Sequence, residues 1–127
     1  MILKLSHMNI EALRDYCMSK NGASESFPFD QTTLVFKVGG KMFAVTDLED
    51  ELAVSLKCDP EKAESLREEY PAVRVPRYFN KRHWNLVMID DSVPGTLIRE
   101  WIDHSYGLVV KGLPAKERKA LEETGSS

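Results

Sequence analysis

The sequence predicts an α+β fold: a two-layer sandwich whose mostly antiparallel sheet is covered on one face by helices. Three observations carry this. Residues 33–56 hold three short runs of strand-like alternation, two of them joined by Gly39-Gly40. Apolar stripes at helical spacing lie before, between and after the strand runs. The chain has 127 residues, 43% of them hydrophobic, which is enough to bury one core without disulfides or metal.

The elements follow in order. Asn9 is a good N-cap for a helix reaching about residue 20, with Ile10, Leu13 and Cys17 on one stripe and Gly22 beyond its end. Residues 23–30, built around Phe27-Pro28-Phe29, read as a loop whose aromatics pin it to the core. Residues 33–38 then alternate, with Leu34, Phe36 and Val38 on one side. Gly39-Gly40 supplies the positive-φ pair of a two-residue hairpin, and residues 41–46 return antiparallel. After an acidic turn at 47–51, Leu52, Val54 and Leu56 mark a third strand. The second face of this sheet is expected to be partly exposed, as Lys37, Lys41, Ser55 and Lys57 allow.

Asp59-Pro60-Glu61 starts a second helix with a capping carboxylate, Ala63, Leu66 and Tyr70 form its buried stripe, and Pro71 ends it. Pro76 interrupts residues 73–79, which leaves them an edge strand or extended loop and not a central strand. Residues 84–89 alternate as a further strand. Ser92 and Pro94 open the longest helix, to about residue 110, with an apolar arc through Ile98, Trp101, Ile102, Ser105 and Val109. Arg99 and Asp103 make a helix-supporting pair on its opposite face. A short charged helix follows from 115 to about 121. The chain thus divides into a variable extension at 1–7, a single domain at 8–121 and a flexible tail at 122–127.

No apolar run approaches the ~18 residues that span a bilayer. Two cysteines without a framework point to the reducing cytoplasm. No two of His7, His83, His104, Cys17 and Cys58 stand at a metal-ligand spacing, and Glu61, Glu64 and Glu68 read as a solvated helix face. Asp103-His104-Ser105 is no triad, because successive helical residues point ~100° apart. Gly39-Gly40 leads into a strand, which excludes a phosphate-binding loop. Neither a catalytic constellation nor a cofactor is expected.

One segment departs from this plain background. Residues 71–89 carry Arg74, Arg77, Lys81 and Arg82 with no acid, a local charge of +4 that leaves −7 on the rest of a chain whose net charge is −3. Tyr78, Phe79, His83 and Trp84 are interleaved with these bases. Cations neutralise phosphates and aromatic faces stack on bases, so the segment is a candidate nucleic-acid contact.

Several strings also resemble the MmcQ/YjbR family of small bacterial proteins. They are Phe27-Pro28-Phe29 with residues 33–44, Leu56-Lys57-Cys58-Asp59-Pro60, residues 80–85, and Ile102-Asp103-His104-Ser105-Tyr106. The resemblance spans residues 8–121 and implies a frataxin-like (CyaY-like) sandwich and DNA binding through a "double wing". Carried onto this chain, the DNA contacts are Arg74, Arg77, Lys81, Arg82, His83 and Trp84. An alternative is a small-ligand or protein-interaction module, with Phe27 and Phe29 brought to Asn80, His83, Asn85 and His104 in an apolar pocket. Iron handling through Glu61 and Glu64 rests on fold analogy alone. DNA is the expected partner, no membrane is expected, and the chain is expected to be a monomer or weak dimer.

Overall fold

In the computed structural model, residues 8–125 are described, and the expected extension at 1–7 lies outside them. Four helices and six strands follow the order α1 (Ile10–Met18), β1 (Ser24–Ser26), β2 (Thr33–Val38), β3 (Lys41–Asp47), β4 (Ala53–Lys57), α2 (Pro60–Glu69), β5 (Val73–Arg74), β6 (Trp84–Met88), α3 (Gly95–Lys111) and α4 (Ala115–Gly125). The strands form one sheet in the order β1-β2-β3-β4-β6-β5, and every pairing is antiparallel. This is the expected α+β sandwich.

Register sorts the side chains onto two faces, because directly opposed residues share a face. Leu34 and Phe36 of β2 stand with Thr46 and Ala44 of β3, then with Val54 and Leu56 of β4, and with Val87 and Asn85 of β6. This face packs against Leu13 and Cys17 of α1 and Ile98, Trp101, Ile102 and Val109 of α3. The pairing register shifts after Phe36, so β3 holds an extra residue, Phe43. The bulge puts Phe43 fully inside, edge-on to Tyr106 of α3 with ring centroids 5.4 Å apart. The Gly39-Gly40 hairpin forms as expected, with φ of 57° and 78°.

Several local expectations are corrected. Residues 24–26 are not loop but an edge strand on β2. The Phe27-Pro28-Phe29 loop is not pinned to the core: Phe27 is 46% and Phe29 63% exposed. Asp59 stands at the start of α2 without a side-chain cap bond, and α3 starts at Gly95 behind Pro94, while Ser92 bonds back to Asp90. Arg99 and Asp103 do not pair. Asp103 instead accepts from the Tyr16 hydroxyl at 2.6 Å and ion-pairs with Lys20, while Arg99 lies over the Tyr16 ring, because α1 packs along that side of α3. Helix α4 runs to Gly125 rather than stopping near 121, with Leu121 against the core and its carbonyl accepting from Asn21.

The largest correction concerns the second face. Val35, Val45, Ala53, Ser55 and Met88 are all buried, so the middle of this face, Ser55 included, is covered, while Lys37, Lys41 and Lys57 keep the partial exposure expected. The cause lies in residues 75–79. After β5 ends at Arg74, this Pro-containing segment leaves the sheet edge and walls the second face. Arg77 anchors it by an ion pair of 3.1 Å to Asp50 in the β3–β4 loop. Phe79 anchors it by stacking on Trp84 at a centroid distance of 4.6 Å.

Candidate functional site

The expected basic residues divide into two groups. Arg74 and Arg77 flank the second face of the sheet, and Arg77 is tied to Asp50. Lys81, Arg82 and His83 stand exposed in the turn that leads into β6. Asn80 builds that turn: its side chain accepts from the Arg82 N–H at 2.8 Å and its carbonyl from the His83 N–H at 3.1 Å. Arg67 of α2 then holds it in place, donating to the Lys81 carbonyl at 2.9 Å and to the Asn85 side chain at 2.7 Å. The buried Asn85 amide is completed by donation to the Ala63 carbonyl at 3.3 Å. Arg67 escaped the sequence reading because nothing in its spacing signals a partner on the far side of a turn.

Trp84 is half-buried beneath Phe79, so the two rings shield each other and neither is a free stacking platform. Tyr78 is different. It is 87% exposed, an unusual setting for a large aromatic side chain, and it stands between Arg77 and the Lys81-Arg82 pair. The exposed side chains along this ridge of chain are therefore Arg77, Tyr78, Lys81, Arg82 and His83.

The alternative pocket does not assemble. Phe27 and Phe29 follow β1 at one edge of the sheet, whereas Asn80 and His83 precede β6 near the other edge. Only Asn85 and His104 come together, around a cavity of about 10 Å³ between α2, α3 and the sheet. That is about the space of one water. His104 is held there as an acceptor, its Nε2 taking the Asp59 N–H at 3.3 Å. Burial and the Lys62 charge push its pKa below the usual histidine value, and Asp59 opposes them only in part.

The thiols are equally quiet. Burial pushes Cys17 up to about 12 and also raises Cys58, despite the helix start beside it. Among the described residues no group of three His, Cys, Asp or Glu side chains is placed to hold a metal ion. No helix among them is long and apolar enough to cross a membrane.

The chain matches the YjbR family model over residues 18–108. It is 43% identical over 115 residues to the uncharacterized protein YjbR of Escherichia coli, covering 90% of this chain and 98% of that one. The chain belongs to the YjbR family. A second Escherichia coli relative, the uncharacterized protein YbdF, is 34% identical over 96 residues, 75% of this chain and 79% of its own. Among solved structures, the Deinococcus radiodurans protein DR2400 superposes with a TM-score of 0.86 at 40% identity, covering 94% of this chain and 92% of that one. A Pseudomonas syringae protein shares the fold, with a TM-score of 0.71 at 23% identity over 80% of this chain and 99% of its own. The YjbR match embraces both the 75–83 segment and the α2–α3 cavity, so both features lie inside the family's domain.

Proposed function

We propose that this YjbR-family protein is a non-enzymatic, cytoplasmic module that binds nucleic acid without sequence preference through the turn at 77–83. The observation that carries the reading is Tyr78, almost wholly exposed in a segment whose own sequence is basic and free of acids. Arg77, Lys81 and Arg82 are the phosphate contacts, and Tyr78 is the side chain available to stack or wedge against a sugar or base. His83 adds a ring N–H donor at the base of the turn, and Arg74 extends the basic track along the sheet edge. Trp84 supports the ridge from below, through Phe79, rather than touching the ligand.

The ridge is not wholly free to act. Asp50 neutralises Arg77, which lowers the field that a phosphate chain meets. The test is fluorescence anisotropy on a labelled duplex of ~20 base pairs over a salt series. The expected result is weak binding that falls by roughly 0.9 log unit per log unit of salt for each phosphate contact. Arg77→Ala with Lys81→Ala and Arg82→Ala abolishes it, Tyr78→Ala weakens it, and Asp50→Asn strengthens it by releasing Arg77. Binding that ignores salt, or that survives the triple change, overturns the reading.

A further inference from the structure

The segment that carries the basic ridge has an inner side, and that side closes a groove of about 370 Å³ over the second face of the sheet. The volume falls in the range of small-molecule sites, roughly 300–1,000 Å³. Its floor is apolar, made by Val45, Leu86 and Met88 from β3 and β6. Ser55, 8% exposed, stands on that floor between Val45 and Leu86, its partners in the two neighbouring strands.

The charges at the rim select the occupant. Arg77 and Asp50 cancel each other. That leaves the Asp47 and Glu51 carboxylates on the β3–β4 side and the Arg74 guanidinium on the β5 side. Asp47 spends one oxygen on the Glu49 N–H, and the Arg74 guanidinium makes no hydrogen bond or ion pair among the described residues, sensing Asp90 only through space. A phosphate-bearing ligand meets two carboxylates here. An apolar cation strands Arg74, and an apolar anion strands Asp47 and Glu51. A molecule with an ammonium at one end, a carboxylate at the other and an apolar body between them satisfies both walls and the floor.

We infer that the groove binds a small apolar zwitterion of the dipeptide class, its carboxylate on Arg74, its ammonium between Asp47 and Glu51, and its apolar side chains on the floor beside Ser55. This site shares Arg74, Arg77 and Tyr78 with the proposed nucleic-acid surface, but the two readings are told apart by experiment: the dipeptide titration contains no nucleic acid, and duplex binding also requires Lys81 and Arg82, which do not line the groove. The experiment is a backbone amide NMR titration of the full chain with leucyl-phenylalanine, its N-acetyl form and its C-terminal amide. Saturable shifts at Val45, Ser55, Arg74 and Leu86 are expected for the free dipeptide. Either blocked form binds about tenfold or more weakly. Arg74→Gln, at an exposed site, keeps the fold and removes the preference for the free carboxylate over the amide. No saturable shift up to roughly 10 mM, equal binding of free and blocked forms, or an unchanged preference in Arg74→Gln overturns the proposal.

Discussion

The Ser105 hydroxyl lies fully buried between α3 and the sheet, where it donates to the Phe43 carbonyl at 2.5 Å and accepts from the Lys57 N–H at 2.9 Å. Both backbone groups sit at places the sheet ladder cannot serve, one at the bulge and one at the end of β4. Ser105→Ala strands both, so denaturant unfolding should show a loss of about 1–3 kcal/mol with an unchanged m-value. Its neighbour His104 governs a different response. Its pKa is lowered in the fold, mainly by burial, so the neutral ring is the stable form. The contribution is therefore complete above the unfolded value of about 6.5 and is lost as pH falls from there toward the folded value. His104→Gln keeps an acceptor for the Asp59 N–H but does not titrate. Thermal melts at pH 7.5 and pH 5.5 should show a smaller drop in Tm for the variant than for the parent; an identical drop places the pH dependence elsewhere.

At the scale of elements, the β2–β3 hairpin and its bulge set the geometry of everything packed on them. Both hairpin glycines have positive φ, yet their surroundings differ. A Cβ on Gly39 meets two methyl carbons of Leu113 at 2.7 Å, whereas one on Gly40 meets nothing within 4 Å. Gly40→Ala should therefore cost only the left-handed backbone penalty, about 1–2 kcal/mol, and Gly39→Ala visibly more, read as a larger fall in Tm. Equal losses argue that Leu113 moves aside freely. The same scale explains why α2 and the 80–83 turn act together: Arg67 bridges them through Lys81 and Asn85, so the ridge is presented by a helix and not by a free loop.

For the whole molecule, the dividing line between what was legible and what was not follows the range of the interaction. Composition, helical stripes, strand alternation and the Gly39-Gly40 pair act over a few residues, and they determined the α+β class, five of the six strands, all four helices and the edge position of the segment broken by Pro76. They also located the basic segment, because a run of like charge is a property of the chain itself. Tertiary packing alone decided the rest. Asn85 and His104, 19 positions apart, meet because α3 packs over β3 and β4 and shares a small cavity with β6, while Phe27 and Phe29 stay far from them because strand order puts β1 at the opposite edge. Arg77 is paired with Asp50 and Trp84 loses its exposed face to Phe79, contacts no local pattern encodes. The groove over the second face exists only because the chain, once Pro76 ends its strand, folds back across the sheet rather than away from it. Local backbone preference ended that strand; long-range burial of Val45, Ser55 and Met88 chose where the chain went next.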